Sequence, residues 1–154
     1  MLITKDLKQF LLTLSFLFSL LGASQAEKLY WVGGSGNYND PAHWSLISGG
    51  RGGAKTPGLS DDVTFDKNSF RTKSIITIMG NANCHNFEFI GTRNLLILDG
   101  TSNERLIISG SINLTRKVDF QFTGDIHFTS STSTFLNFGT SALKSNVVFD
   151  RTGQ

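Results

Sequence analysis

The chain has 154 residues, a formal net charge of +2, and charged side chains at only 17% of its positions. This near-neutral, scattered charge gives no electrostatic basis for binding nucleic acid or an anionic membrane surface. A single cysteine, Cys84, excludes an internal disulfide, so the fold must depend on packing and backbone pairing; we expect this thiol to be a small buried apolar group.

The first 26 residues have the pattern of a secretory signal peptide. Lys5 and Lys8 precede an uncharged apolar run over residues 10–21, and small residues follow up to Ala26. The run is too short for a lasting membrane anchor, which needs about 20 residues. We therefore predict cleavage after Ala26, export from the cytoplasm, and no stable membrane insertion afterwards.

Residues 27–61 are predicted to form an N-terminal cap and a glycine-rich loop. A short strand over residues 27–32 is followed by a Gly/Asn-rich turn, one helical turn over residues 41–44, and a loop over residues 48–60. Residues 62–154 then read as short β-type runs separated by turn residues, without helical periodicity. The predicted strands cover residues 62–65, 74–79, 85–90, 94–98, 105–109, 111–115, 118–122, 125–129, 134–138 and 146–150.

A weak repeat lies within these strands. Apolar pairs that begin at Phe87, Leu106, Ile126 and Val147 recur at steps of 19, 20 and 21 residues. A period near 20 is typical of a parallel β-solenoid, in which stacking makes one continuous core. An antiparallel β-sandwich, whose strands recur every 8–12 residues, is the alternative. The predicted core residues are Trp31, Trp44, Phe65, Phe87, Phe89, Ile108, Ile126, Phe128 and Phe149.

The opening of the exported part resembles a known family. Residues 30–66 read YWVGGSGNYNDPAHWSLISGG and then TPGLSDDVTFD. This is similar to the N-terminal module of large secreted, adhesin-type surface proteins of gliding-type Gram-negative bacteria, with Tyr38 where that pattern has tryptophan. The resemblance implies a right-handed parallel β-helix with an aromatic cap, in proteins that continue into further repeats and a C-terminal sorting domain. Because the chain carries no such domain and ends soon after its last predicted strand, we expect a fragment of a longer protein.

Two groups of residues are candidate sites. Trp31, Tyr38 and Trp44 form an aromatic cluster that either caps the solenoid or, if exposed, binds carbohydrate through the ring faces. Asp61, Asp62 and Asp66 are weak candidates for calcium, because their spacing does not match a known loop; no metal or other cofactor is predicted.

The sequence favours a non-enzymatic structural or adhesion module, secreted to the cell surface, with glycans or other surface proteins as possible partners. A carbohydrate-binding module is one alternative. A remnant of a solenoid polysaccharide lyase or glycosidase is another, with Asp125 and the Asp150-Arg151 pair as its least unfavourable acids; Asp99 and Asp119 also lie beside turns.

Overall fold

The computed structural model describes residues 25–91, 95–116, 118–130, 132 and 134–150. The predicted signal peptide, apart from its last two residues, lies outside them. The described residues form fourteen strands and one 3₁₀ turn, Pro41–His43. The strands are β1 Lys28–Trp31, β2 Gly36–Asn37, β3 Trp44–Ser45, β4 Asp62–Phe65, β5 Ser74–Thr77, β6 Asn81–Cys84, β7 Phe87–Phe89, β8 Leu96–Asp99, β9 Arg105–Ile108, β10 Ile112–Leu114, β11 Val118–Phe120, β12 Asp125–Phe128, β13 Leu136–Asn137 and β14 Val147–Phe149.

Three sheets run along the molecule. Sheet A has the order β13-β10-β7-β4-β1-β3, sheet B the order β11-β8-β5-β2, and sheet C the order β14-β12-β9-β6. Each pairing is parallel except that of β3 with β1. Successive turns of the chain therefore stack as a parallel β-solenoid. The predicted fold is confirmed, and the antiparallel sandwich is wrong.

The register of the sheets corrects the predicted repeat. Leu106, Ile126 and Val147 stack in sheet C, as their spacing predicts. Phe87, however, stacks on Val63 and Ile112 in sheet A, at steps of 24 and 25 residues. The corner loops differ in length, so the number of residues between stacked positions differs from one pair of strands to the next. A single period of 20 therefore placed Phe87 in the wrong column.

The core is a continuous column of inward-facing apolar side chains. Most strands alternate between buried and partly exposed positions, as period-2 geometry requires when one face is covered. Eight of the nine predicted core residues are at most 2% exposed: Trp31, Trp44, Phe65, Phe87, Phe89, Ile108, Ile126 and Phe128.

Phe149 is the exception, because it is 59% exposed. Its strand, β14, is the last of sheet C and, among the described strands, pairs only with β12. The Phe149 ring stacks on Phe128 at 5.5 Å, and its other side faces solvent in the described part of the chain. The prediction that Phe149 is a core residue is wrong.

Sequence patterns miss three strands, β2, β3 and β6. β2 and β6 consist of Gly, Asn, Ala and Cys, which have low β propensity or little side chain to pack, and β3, Trp44–Ser45, is only two residues long. In β6, Ala82 and Cys84 face the core and are completely buried, so the expectation for the thiol is confirmed. No helix within the described ranges is long and apolar enough to cross a membrane.

Candidate functional site

The aromatic cluster closes the first turn of the solenoid. Trp44 meets Trp31 edge-on at 5.1 Å and Tyr38 at 5.0 Å, and both tryptophans contact Phe65. Each polar group of the three residues finds a backbone carbonyl. Trp31 Nε1 donates to Gly34 O at 2.7 Å, Trp44 Nε1 to Tyr38 O at 2.7 Å, and the Tyr38 hydroxyl to Asn83 O at 2.9 Å.

Trp31, Tyr38 and Trp44 are each 0% exposed. One face of Trp31 is covered by the His43 ring, which stacks on it at 4.6 Å. A sugar ring needs an open aromatic face, so carbohydrate cannot stack on these three residues in this structure. The geometry is that of a cap, in which the largest apolar side chains fill the end of the core.

The local sequence fits this packing closely at Gly36. A Cβ atom at that position would lie 2.0 Å from the His43 ring, so only glycine allows the ring to stack on Trp31. The ring is also fixed by a 2.9 Å contact between His43 Nδ1 and Val32 O. Gly36 is therefore a requirement of the cap.

Burial also sets the chemistry of the neighbouring side chains. It raises the pKa of the Cys84 thiol well above its usual range, because a thiolate would lose its hydration there. Burial likewise raises the pKa of Tyr38, with a further contribution from Cys84. Cys84 is thus a buried thiol held in its protonated form, the opposite of a reactive cysteine.

Asp61 is a buried carboxylate that accepts hydrogen bonds from three donors. Its exposed fraction is 2%, and Oδ1 accepts from Lys55 Nζ at 2.9 Å and from Glu27 N at 3.0 Å. Oδ2 accepts from Gly58 N at 2.9 Å, which leaves Lys55 as the only cationic partner among the described side chains. Burial alone raises the pKa of Asp61, but the bonds from Lys55, Gly58 and Glu27 outweigh it and lower that pKa below its usual value.

The other two aspartates proposed as metal ligands are also engaged within the fold. Asp62 Oδ1 accepts from both the backbone and side-chain nitrogens of Asn86, at 3.2 and 2.8 Å. Asp66 accepts from Asn68 N at 2.8 Å and from the Ser48 hydroxyl. No three His, Cys, Asp or Glu side chains in the described ranges are grouped so that they could hold a metal ion. Each of these aspartates organises a loop or a strand end.

Two of the acids considered for catalysis meet at one histidine on sheet C. His127 Nδ1 lies 2.7 Å from Asp150 Oδ2, and His127 Nε2 lies 3.7 Å from Asp125 Oδ2. His127 links β12 to the residue that follows β14. Asp99 and Asp119 belong to sheet B, on a different face, so the four acids do not form one site.

A side-chain ladder repeats along one edge of sheet A, just before each strand or at its first residue. The side-chain oxygen in one turn accepts from the backbone N–H of the next turn: Asp62 from Asn86, Asn86 from Ser111 at 2.8 Å, and Ser111 from Phe135 at 3.0 Å. These three residues, Asp62, Asn86 and Ser111, are the edge ladder. Sequence reasoning missed it because three different residue types occupy the equivalent positions. Asp, Asn and Ser share only a short side chain with an oxygen that accepts a hydrogen bond.

The outer face of sheet A carries a second column, which we call the outer ladder. Its members are register partners in successive strands: Tyr30, Thr64, Glu88, Asn113 and Asn137. Glu88 accepts from Thr64 and Lys28 at 3.2 Å each, and Asn137 Nδ2 donates to Asn113 Oδ1 at 2.9 Å. Thr64 is buried, whereas the other four side chains are partly exposed.

A polar cleft lies beside the cap. It has a volume of about 470 Å³ and is lined by the backbone of Gly33, Gly34, Gly49 and Gly50 together with Val32, Asn68, Ser69, Arg71 and Thr72. Val32 supplies the only large apolar side chain of this lining. The cleft therefore suits a polar ligand and not a hydrophobic one.

Comparisons with known proteins find no matching family model, curated protein or solved structure. The geometry of these sites and the sequence pattern of the opening segment are therefore the grounds for proposing a function.

Proposed function

We propose that this chain is an exported, non-enzymatic structural and adhesion module of a bacterial cell surface, and a part of a longer surface protein. The resemblance of residues 30–66 and the signal-peptide pattern support the location. The outer ladder supports the proposed adhesion.

The outer ladder carries the proposal because it is a regular array on a rigid support. Neighbouring strands in a sheet lie about 4.8 Å apart, so Glu88, Asn113 and Asn137 present polar groups at a fixed repeat. The bonds between Asn137 and Asn113 and between Glu88 and Lys28 hold these side chains in place before any partner arrives. Many weak contacts along one rod bind a polymer or a surface through multivalency.

Attachment of coated microspheres tests this function. Microspheres that carry residues 27–154 should adhere under flow to glass coated with cellulose or agarose several times more often than uncoated microspheres. Asn113→Lys combined with Asn137→Lys should bring attachment close to background, because two added charges disrupt the outer ladder. Ile75→Lys is the matched control, since Ile75 is 42% exposed and lies in sheet B. Wild-type attachment no greater than that of uncoated microspheres would refute the proposal.

The cleft beside the cap favours a second candidate function, binding of a soluble polar ligand such as a sugar. Its peptide groups, Asn68 and Ser69 offer hydrogen bonds to hydroxyl groups, and Arg71 offers a cationic donor. Calorimetry with monosaccharides and uronic acids, on the wild type and on Arg71→Ala, tests this candidate. If the cleft binds such a ligand, Arg71→Ala should weaken binding about tenfold. Arg105→Ala, at an exposed position of β9, is the control and should leave binding unchanged.

A further inference from the structure

The backbone nitrogen of Glu27 is held by a buried carboxylate. Glu27 N lies 3.0 Å from Asp61 Oδ1, although 34 positions separate the two residues in the chain. The Glu27 carbonyl accepts from Asp62 N at 2.8 Å, so the residue is fixed at the start of the β1–β4 ladder. Gln25 and Ala26, immediately before it, are exposed. Glu27, which is held by these two bonds, is thus the residue that directly follows the predicted cleavage site.

The charges around this nitrogen do not balance in the uncleaved chain. Lys55 Nζ lies 2.9 Å from Glu27 Oε2 and 2.9 Å from Asp61 Oδ1, so one cation serves two carboxylates. Asp62, the next residue along, directs its carboxylate to Asn86, and the His85 ring bonds to Ser109. The described neighbours therefore provide no second cation for Asp61.

We propose that cleavage between Ala26 and Glu27 supplies the second cation, and that Asp61 binds the α-ammonium group of the new N-terminus. Water hydrolyses the peptide bond in a signal-peptidase reaction. Its oxygen joins the Ala26 carbonyl carbon as the bond to Glu27 N breaks, which leaves a carboxylate on Ala26. Both protons of the water end on the Glu27 nitrogen, which becomes an ammonium group. The site then contains two carboxylates, Glu27 and Asp61, and two cations, Lys55 and the ammonium group.

Processing in this way makes the mature chain more stable than its precursor. A hydrogen bond between charged partners stabilises a fold more than one from a neutral amide, and the difference corresponds to about a tenfold change in the unfolding equilibrium. The precursor lacks this contribution, so it stays easier to unfold until the leader is removed. The inference rests on the proposed export, because without cleavage the ammonium group does not form.

The pH dependence follows from the two partners. An α-amine has an ordinary pKa near 7.7–8.0, and a carboxylate partner raises it. This part of the stability is therefore present below about pH 8 and is lost as pH rises through the raised value. Asp61 has a lowered pKa, so its part is present above about pH 4 and is lost as pH falls further.

Expression of the full 154-residue precursor in a Gram-negative host tests the inference. Intact mass identifies the N-terminal residue of the exported product. The rate at which limiting acetic anhydride acylates the α-amine at pH 7 is then measured by peptide mass spectrometry. The native protein should react at least tenfold more slowly than the same protein unfolded in urea. Asp61→Asn should remove most of that protection, and Asp119→Asn, on the outer face of β11, should retain it.

The comparison of native with unfolded wild type needs no substitution, so it decides the matter even if Asp61→Asn does not fold. An exported product that begins at Glu27 with a protected amine supports the inference. Export with cleavage at another bond, or an amine equally reactive in both states, overturns the inference and leaves the proposed adhesion function intact. A chain that stays uncleaved inside the cell overturns both.

Discussion

Trp44 shows how single residues close the first turn of the solenoid. Its ring contacts Trp31, Tyr38 and Phe65, and its only polar atom donates to Tyr38 O. A side chain that fills space and has its one donor satisfied contributes to stability, not to ligand binding. This placement distinguishes a cap from a sugar-binding platform.

We expect Trp44→Ala to lower the free energy of unfolding by about 3–5 kcal/mol, because it leaves a large cavity at the end of the core. Urea unfolding followed by circular dichroism measures this loss. Tyr30→Ala is the control; Tyr30 lies in the same region but is only half-buried on the outer face, and its loss should cost less than about 1 kcal/mol. Equal losses for the two variants would mean that the tryptophan is not part of the core.

Asp61 leads to a prediction about acid stability. At pH 7, Asp61→Asn should cost about 2–3 kcal/mol, because a buried carboxylate loses its charge-assisted bonds. Since the pKa of Asp61 is lowered in the fold, its contribution is complete above about pH 4 and disappears as pH falls below that value. Urea unfolding between pH 7 and pH 2 should therefore show the difference from wild type shrinking with acid. A difference that stays constant with pH would contradict the assignment, and Asp119→Asn controls for the loss of one surface carboxylate.

Among the strands, those after Asp62 could be predicted because their apolar residues alternate along short runs. Nine of the ten predicted runs contain one observed strand each, and the run over residues 94–98 overlaps β8, which ends one residue later at Asp99. No predicted run corresponds to β6. β2, β3 and β6 could not be predicted, because their own short sequences do not indicate a strand. They are strands because they pair with other strands of the fold. The column that holds Phe87 could not be predicted either, because corner loops of unequal length hide the true repeat.

The edge ladder connects the turns of sheet A and has its own test. Asn86→Ala removes the acceptor of Ser111 N and the amide that donates to Asp62, so we expect a loss of about 1–3 kcal/mol. Asn103→Ala, in an exposed turn, is the matched control and should change stability by less than about 0.5 kcal/mol. Thermal unfolding of both variants checks the prediction. Equal midpoints for the two would show that the edge ladder adds no stability.

At the level of the whole molecule, the two ends of the rod differ. The first turn is closed by the aromatic cap and by the antiparallel strand β3. The last described turn leaves Phe135 and Phe149 about 60% and 59% exposed.

The site could be predicted only in part from the sequence. The aromatic cluster was recognised, but its burial depends on the His43 ring and on Gly36, whose roles appear only once the chain is folded.

We propose that this rod works outside the cell, and its accessibility on intact cells tests that proposal most directly. Antibodies raised against residues 27–150 should label intact cells of the organism that makes the chain, and brief protease treatment of those cells should abolish the labelling. We expect intact cells to be labelled as strongly as permeabilised cells. Labelling that appears only after permeabilisation would contradict it, because an adhesion module must be reachable from outside.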